Sequence, residues 1–483
     1  MRGNVMKHQA EFKPFEKKMT AENMPAPAIH IFRNYYEKLI KKEKGLIPEA
    51  GIQPVDTLTD FASLTSGKYE ETGRRHLHKT AAIKLNGGLG TSMGMNKPKG
   101  LLKVKSFFSF LDIAVSQNRK MDPAVPVVFM KSFSTTRATL KALEAYPSLK
   151  NRPLDKEFLQ HKVPKIDAAT LRPAQHPENP ALEWCPPGHG NVYTALYTSG
   201  MLDQLLDNGY EYAFLSNIDN LGAVVDPAIL GYFIENRLGF MMETSPRTPN
   251  DKKGGHLAKM KSGGYILREI AQCPEQDQKE FQDIEKHRYF NTNNIWIYLP
   301  ALQKVLHRQN GIIALPMIRN KKTLDPRDPD SPEVYQLETA MGSAVSVFDR
   351  AGAICVPRDR FIPVKNTNDL LDVRSDRYIL DDRFHLIPNP EKKSECVHID
   401  LDPAYFKFID DFEKRFPRGV PSLKNCTCFT VQGDFTFGKK VTVKKDSMLI
   451  NTTEHRFTIE DYQVLNGDSA MVTDLIQRKM AAS

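Results

Sequence analysis

Residues 84–100, KLNGGLGTSMGMNKPKG, combine a glycine-rich loop with two lysines directly after an apolar run typical of a β-strand. Four glycines, Gly87, Gly88, Gly90 and Gly94, form the loop part of this segment. They leave backbone N–H groups open to close approach by phosphate oxygens or a base, and Lys97 and Lys99 add positive charge to the same turn. The spacing fits neither the GxGxxG fingerprint of dinucleotide-binding folds nor a P-loop. A flexible hinge is the plainer alternative, but the order of strand, glycine loop and lysine favours an anion-binding loop.

A second motif, LSNIDN, ends another apolar run. Asn217 and Asp219 follow residues 212–215, so they stand where a buried strand ends. Open α/β sheets bind their ligands at the carboxyl ends of strands, and a single aspartate, completed by water and substrate oxygens, suits Mg²⁺. Asp219 is therefore the predicted magnesium ligand. Turn formation by asparagine and aspartate is the alternative.

Residue types suited to a sugar lie further along the chain. Sugar hydroxyls need partners that donate and accept, and Glu269, Asn291 and Asn293 offer such groups. Gly254 and Gly255 allow the backbone to approach a ligand closely. Taken alone, an FNTNN run is more often cap or turn chemistry.

These motifs need a sheet to position them, and residues 79–373 alternate short apolar runs with helical stretches, as in a mostly parallel sheet with crossover helices. The predicted strands are residues 81–85, 125–130, 212–216, 240–243 and 295–298. Before this region, an amphipathic helix is predicted at 28–42, with Ile31, Phe32, Tyr35, Leu39 and Ile40 on one stripe. After it, a helix at 404–416 precedes alternating short strands and a helix-like tail at 469–480. The division expected is 1–75, 76–375 and 376–483.

The composition indicates a globular protein with an anionic small ligand. Lysine and arginine number 67 against 58 acidic residues, but they are dispersed, with neither zinc-finger spacing nor an RNA-recognition signature, so nucleic acid is not an expected partner. The six cysteines form no CxxC pair, which favours a reducing compartment. No apolar h-region or run of about 18 apolar residues is present. A cytoplasmic protein without a membrane partner is predicted.

Six segments in order resemble the eukaryotic-type UTP-glucose-1-phosphate uridylyltransferase family. They are KLNGGLGTSMGMNKPKG, PPGHGN, LSNIDNLGA, FNTNNIWI, QLETAMGSA and VPRDRFIPVK. The resemblance implies an α/β fold: a Rossmann-like nucleotidyltransferase core with a mixed, mostly parallel sheet, an N-terminal helical extension and a C-terminal left-handed β-helix. It also implies that copies of the chain would associate through the C-terminal module, without fixing a number of subunits.

The resemblance assigns roles on the nucleotide side of the site. Residues matching the uridine-binding segment are Leu85, Asn86, Gly87 and Gly88. Gln160 matches a glutamine that reads uracil, for which an amide offers both a donor and an acceptor, and Gly190 matches a backbone contact to the base. Lys99 matches a lysine that meets the triphosphate. Gly100 departs from the serine expected there, so no hydroxyl contact is predicted.

The remaining matches concern the sugar phosphate and the metal. Sugar-phosphate contacts are implied for His189, Asn217, Gly255, Glu269, Asn291 and Asn293. Asp219 corresponds to the Mg²⁺ ligand, and Lys365 corresponds to the active-site lysine. The substrates implied are UTP and a hexose 1-phosphate, which repel each other because both carry negative charge. Their repulsion would be offset by magnesium bound to Asp219, by Lys99 and by Lys365.

Alternatives remain at this stage. The LNGGLGTSMG loop differs from the LxGGxGTRLG loop usual in enzymes for N-acetylglucosamine 1-phosphate, which favours glucose 1-phosphate, but galactose 1-phosphate or a broader range is open. A UDP-sugar-binding regulator without turnover and an assembly protein built on the C-terminal module are the rivals from other classes. The presence of Lys99, Asp219 and Lys365 favours the enzyme.

Overall fold

The computed structural model describes residues 2–65, 67–149, 153–393, 397–467 and 469–471. Within those ranges, none of the helices combines the length and apolar character that a bilayer span requires. The α-helices are Arg2–Ala21, Ala26–Ile40, Gly67–His76, Phe110–Arg119, Thr136–Leu143, Val192–Thr198, Met201–Asp207, Pro227–Glu235, Gln278–Gln282, Leu299–Arg308, Thr367–Arg374, Pro403–Phe406 and Ile409–Arg415.

A mixed, mostly parallel sheet forms the centre of this α/β fold. Its strands lie in the spatial order Thr59–Asp60, Ala351–Cys355, Phe240–Pro246, Tyr289–Tyr298, Tyr212–Asn217, Thr80–Asn86, Val127–Lys131 and Glu157–Leu159. Only the two pairings made by Tyr289–Tyr298 along this path are antiparallel. The five strands predicted from the apolar runs are confirmed, and the last one begins six residues earlier than the pattern indicated.

Both faces of the sheet are covered, as a parallel sheet requires. Along Val127–Lys131, Val127 and Phe129 point into one hydrophobic cluster and Val128 and Met130 into another. The first of these clusters continues into the C-terminal region, where aromatic side chains such as Phe429 join it. The sheet is therefore anchored on one side by the C-terminal strands.

A hairpin extends the sheet beside its antiparallel strand. His256–Met260 pairs with Tyr265–Arg268, with Ile52–Gln53 and, at one position, with Phe290. Next to it the pairing of Phe240–Pro246 with Tyr289–Tyr298 is interrupted, because Glu243 faces Asn294 while Thr244 faces Asn291. Thr292 and Asn293 thus form a bulge, a feature that re-aims side chains next to functional sites.

Smaller sheets complete the central region. These pairs and triplets are Lys103–Lys105 with Phe108–Ser109, Val163–Pro164 with Trp184–Cys185, Tyr378–Leu380 with Leu386–Pro388, and Ile318–Thr323 with Glu333–Glu338 and Ile166–Asp167.

The amphipathic helix predicted at 28–42 is confirmed as Ala26–Ile40. Phe32, Tyr35 and Leu39 are buried against a cluster that includes Trp184, while Ile31 and Ile40 of the predicted stripe are only partly buried. The helix covers an apolar surface beside the sheet, as its stripe required.

The C-terminal region is built from short strands stacked in parallel. The strands are His398–Leu401, Ser422–Gln432, Phe435–Phe437, Thr442–Ile450, Phe457–Ile459, Val464–Asn466 and Ser469–Met471, and all their mutual pairings are parallel. Parallel stacking of successive short strands is the arrangement of a solenoid.

Two helix predictions in this region are wrong. The single helix predicted at 404–416 is divided, because Phe408 is extended (φ −92°, ψ 145°) between Pro403–Phe406 and Ile409–Arg415. The predicted tail helix at 469–480 begins instead as the strand Ser469–Met471, whose backbone pairs with Thr442–Ile450. Its remainder, 472–480, lies outside the described residues.

Candidate active site

The glycine-rich loop leaves the sheet at the end of strand Thr80–Asn86. Gly90 and Gly94 both have φ +68°, which L side chains rarely adopt, so the loop needs glycine at these two points. Lys99 N–H donates to the Gly88 carbonyl oxygen at 2.9 Å and closes the loop. A Cβ added to Gly88 would meet no protein atom within 4 Å, so this part of the loop faces open space suited to a ligand.

Lys99 and Asp219 form an ion pair at the base of the loop. Their Nζ and Oδ2 atoms are 2.6 Å apart, and the two side chains are 11 % and 21 % exposed. Asp219 follows the carboxyl end of strand Tyr212–Asn217, and Ile218 N–H donates to the Leu85 carbonyl oxygen at 3.1 Å. The parallel neighbours thus bring the loop lysine and the motif aspartate to one edge of the sheet.

The donor set at Asp219 fits magnesium better than a metal enclosed by protein ligands. Among the described residues, no group of three or more His, Cys, Asp or Glu side chains is arranged to hold a metal ion. Mg²⁺ is commonly bound by one or two carboxylates together with water and substrate phosphates. Asp219 is a single carboxylate of this type, and in this structure it is paired with the Lys99 ammonium group.

Backbone hydrogen bonds join the segment around Lys365 to Asp219 and to the glycine-rich loop. Val364 N–H donates to the Asp219 carbonyl oxygen at 3.1 Å, and Ser92 Oγ of the glycine-rich loop donates to the Lys365 carbonyl oxygen at 3.2 Å. The Lys365 side chain is exposed, with Nζ 5.7 Å from the Phe361 ring centroid. The three charged residues singled out from the sequence therefore lie on neighbouring backbone segments at this edge of the sheet.

Gln160 and the segment 188–191 form the wall behind the glycine loop. Gln160 is buried and its Nε2 donates to the Gly188 carbonyl oxygen at 2.9 Å. Its Oε1 lies 2.9 Å from where a Cβ of Gly87 would be, so glycine at 87 is needed for this contact. Gly190 N–H donates to the Thr339 carbonyl oxygen at 2.9 Å. The amide of Gln160 thus lies directly against the loop.

His189 is held as a neutral hydrogen-bond donor. Burial lowers the pKa of its imidazole to about 4, and Nδ1 accepts from the Met341 N–H at 3.0 Å. The proton of the neutral ring is therefore on Nε2. That nitrogen can donate to an oxygen of a phosphate or a sugar, but the ring is a weak base.

Glu269, Gly255 and the bulge asparagines lie together beside the cleft. A Cβ on Gly255 would stand 2.5–2.6 Å from the carboxyl atoms of Glu269. Asn291 N–H donates to the Gly255 carbonyl oxygen at 3.0 Å, and Asn291 Nδ2 donates to Asn293 Oδ1 at 3.1 Å. Asn293 has φ +57°, a conformation that asparagine tolerates better than most residues.

Burial raises the pKa of Glu269, while the charge of Lys365 and a hydrogen bond from Asn291 oppose that rise. The carboxylate is therefore held close to Lys365 and among neutral amides. Such a group can accept hydrogen bonds from sugar hydroxyls while the lysine meets a phosphate.

Leu85 and Asn86 differ from the other predicted site residues because their side chains point away from the loop surface. The Leu85 and Asn86 side chains are buried, and Asn86 Nδ2 donates to Thr139 Oγ1 at 3.3 Å beneath the loop. They shape the loop and leave only backbone atoms for a ligand. Asn217 pairs with Leu85 at the end of its strand and is partly exposed.

Sequence reasoning missed several residues that shape the site. Asp369 Oδ2 accepts from the Lys365 N–H at 2.7 Å and caps the helix Thr367–Arg374 with Asn366; a capping pattern in NTND was the available signal. Asn220 and Arg360 stand inside the quoted motifs but have no local signature of their role. Their partner Glu243 lies on a different strand.

The family model described as UTP-glucose-1-phosphate uridylyltransferase matches residues 29–444. The uridylyltransferase of Solanum tuberosum is 41 % identical over 378 residues, covering 77 % of this chain and 76 % of that protein. The uridylyltransferase of Encephalitozoon cuniculi is 36 % identical over 446 residues, covering 91 % and 87 %.

Solved structures agree over nearly the whole chain. A UDP-glucose phosphorylase from Trypanosoma brucei has a TM-score of 0.88 and 44 % identity, covering 96 % of this chain and 100 % of its own. A Leishmania major UDP-glucose pyrophosphorylase variant, in complex with UDP-glucose, has a TM-score of 0.88 and 41 % identity, covering 96 % and 99 %. Together with the match over residues 29–444, this likeness shows that the chain belongs to the UTP-glucose-1-phosphate uridylyltransferase family.

Proposed function

We propose that this chain is an enzyme that joins UTP and glucose 1-phosphate to give UDP-glucose and pyrophosphate. The observation that carries the proposal is that the Lys99–Asp219 ion pair and the Lys365 segment lie on hydrogen-bonded neighbouring segments beside the glycine-rich loop. The names of the relatives and the UDP-glucose bound to the Leishmania major variant support this reaction.

The chemistry follows from charge. A phosphate oxygen of glucose 1-phosphate forms a bond to the α-phosphorus of UTP while the bond from that phosphorus to the bridging oxygen breaks and pyrophosphate leaves. The attacking oxygen is already ionised near neutral pH, so no general base is required. Two anions must meet in line, and catalysis depends on positioning and on cations that offset their repulsion.

Each charged residue has a proposed part. Lys99 binds the β and γ phosphates once UTP arrives, and Lys365 lies between the two reacting phosphates. Asp219 holds Mg²⁺, which when bound adds positive charge at the phosphates. The Lys99–Asp219 pair keeps both side chains extended toward the same point before substrates bind.

Recognition divides between the two walls of the cleft. Gln160 and the Gly190 backbone read the uracil, with the backbone of 85–88 around the uridine, while His189, Asn217, Gly255, Glu269, Asn291 and Asn293 contact the sugar phosphate. The partly buried carboxylate of Glu269 and the adjacent amides favour a hexose with free hydroxyl groups. Glucose 1-phosphate is the first choice, and a UDP-sugar pyrophosphorylase of broader specificity is the second candidate.

Pyrophosphate release tests the proposal. The purified chain is incubated with UTP and each of glucose, galactose and N-acetylglucosamine 1-phosphate, with and without EDTA. The proposal expects metal-dependent release that is fastest with glucose 1-phosphate. Equal rates with several sugars would favour the broader enzyme, and UDP-glucose binding without release under any condition would favour a non-catalytic regulator.

Finer features of the fold belong to the same proposal. The parallel C-terminal strands are consistent with a left-handed β-helix, and the boundaries near 75 and 375 divide the chain into helical extension, catalytic domain and C-terminal module. Association of copies through that module is checked by the solution mass of the full chain. The cytoplasmic location remains a prediction from the sequence.

A further inference from the structure

A buried ion pair lies beneath the cleft and uses all the acceptor capacity of one carboxylate. Glu243, fully buried, accepts from Arg360 Nε at 2.9 Å and from a second guanidinium nitrogen at 2.7 Å. Asn294 Nδ2 and Trp296 Nε1 each donate to the same carboxylate at 2.9 Å. None of these four side chains is among those that the proposed reaction uses.

Asn220 connects this ion pair to the cleft. Its Nδ2 donates to Asn294 Oδ1 at 3.2 Å and to the Arg360 carbonyl oxygen at 3.1 Å. Its Oδ1 accepts from the Ile362 N–H at 2.8 Å and from the Gly222 N–H at 3.2 Å. One buried side chain thus fixes two backbone segments that run to different parts of the cleft.

Those two segments carry the proposed catalytic groups. Asp219 directly precedes Asn220, and Lys365 follows Ile362 by three residues. Backbone hydrogen bonds join the segments on both sides of Asn220, from Leu221 N–H to the Ile362 carbonyl at 3.2 Å and from Val364 N–H to the Asp219 carbonyl at 3.1 Å. A shift of one segment therefore carries the other with it.

The nature of the cluster favours positioning over stability. Replacing a buried ion pair by well-packed apolar residues often leaves protein stability unchanged or increases it. Stability alone therefore does not require an ion pair with complete hydrogen bonding at this place. Its directional bonds fix the register of the segments it touches. Arg360 additionally donates to the Val224 carbonyl oxygen at 2.8 Å and so fastens the far end of the Asp219 loop.

We infer that Asn220, Arg360 and Glu243 are positioning residues that hold Asp219 and Lys365 as one unit, so that the metal ligand and the catalytic lysine keep a fixed separation. This inference rests on the proposed function. It assigns no contact with substrate to the three residues and predicts that their effect on turnover passes through Lys365 and Asp219.

A double-mutant cycle tests the inference. Asn220→Ala, Lys365→Ala and the double variant are compared by single-turnover rate, the KM for UTP and thermal unfolding. Because a misplacement of about 1 Å can lower a rate roughly 100-fold, Asn220→Ala is expected to reduce kcat by about that factor while the KM for UTP changes little. In the Lys365→Ala background the same change is expected to reduce the rate less than about threefold.

Asn451→Ala is the matched control. Asn451 is a buried asparagine in the C-terminal module that also makes four hydrogen bonds with nearby groups. It should lower thermal stability by a similar amount without lowering kcat. If Asn220→Ala does not yield folded protein, Asn220→Ser enters the same cycle with the same expectation.

The possible outcomes distinguish the positioning role of Asn220 from the proposed reaction itself. An undiminished effect of Asn220→Ala in the Lys365→Ala background, or a loss of stability with normal kcat, would overturn the positioning role while the reaction itself stands. Normal turnover in Lys365→Ala alone would overturn the proposed mechanism and the inference together.

Discussion

Gly255→Ala tests the contact between a glycine backbone and the partly buried Glu269 carboxylate. The added methyl carbon would lie 2.5–2.6 Å from three carboxyl atoms of Glu269. Ordinary contact requires the carboxylate to retreat by about 1 Å. Because these atoms are the far end of a flexible side chain, the backbone can stay in place and the protein is expected to fold.

The magnitude follows from what the displaced carboxylate no longer does. A hydrogen bond to a charged group contributes about 1.5–3 kcal/mol, which corresponds to a change of roughly 10- to 100-fold in affinity. We therefore expect kcat/KM for glucose 1-phosphate to fall by about that factor. The KM for UTP should change little, because Gln160 and Gly190 lie on the other wall and their contacts are not altered.

The assay is initial-rate pyrophosphate release with each substrate varied separately. Gly51→Ala serves as the control, since a Cβ at Gly51 would meet nothing within 4 Å. A fall in kcat/KM for UTP as large as that for the sugar phosphate would refute the reasoning, and so would normal sugar kinetics in a folded Gly255→Ala enzyme.

Three further predictions concern charge. Lys365→Ala should lower kcat by orders of magnitude while UTP binding, followed by calorimetry, stays measurable, and near-normal turnover would contradict its role. Burial raises the pKa of Glu269, although the charge of Lys365 opposes that rise. The KM for glucose 1-phosphate should therefore rise on acidification at a pH above the usual glutamate range. A KM that stays independent of pH down to the usual glutamate range would exclude an ionised Glu269 as the sugar contact. Burial lowers the pKa of Lys84 to about 7, so between pH 7 and the usual lysine range the unfolded chain binds a proton that the native chain has lost. The free energy of unfolding therefore increases as pH rises through that window. Lys84→Met should remove this increase, which totals on the order of a few kcal/mol across the window when measured by denaturant unfolding, and an unchanged pH dependence would contradict the assignment.

Local patterns in the sequence were sufficient for the predicted strands of the central sheet, whereas the roles of the site residues stay predictions. Strand Thr80–Asn86 is buried along its whole length, and its apolar run was readable without any tertiary information. Gly87, Asn217 and Asp219 stand at or directly after strand ends, where ligands bind in open sheets, whereas Lys365 was singled out by the family resemblance. Parallel pairing of strands Thr80–Asn86 and Tyr212–Asn217 brings the glycine-rich loop beside Asp219. The 2.6 Å ion pair of Lys99 with Asp219 was not predicted from the sequence.

Non-local contacts account for what the sequence did not reveal. The helix predicted at 404–416 has a continuous amphipathic pattern, yet Phe408 interrupts it and lies against Gly94 of the glycine-rich loop, where an added Cβ would be only 2.7 Å from the Phe408 ring. The bulge at Asn293 depends on the pairing register with another strand. Glu243 and Arg360 are separated by more than a hundred residues and meet only in the fold.

The central claim is that Asp219 receives the metal while Lys99 transfers to the nucleotide. It is tested most directly by the anomalous signal of Mn²⁺ in crystals of the chain grown with a non-hydrolysable UTP analogue. The account predicts a Mn²⁺ peak within coordination distance of the Asp219 carboxylate, with Lys99 Nζ moved from Asp219 to the β or γ phosphate and Lys365 facing the α-phosphate. An intact Lys99–Asp219 pair with Mn²⁺ bound away from this cleft would contradict it.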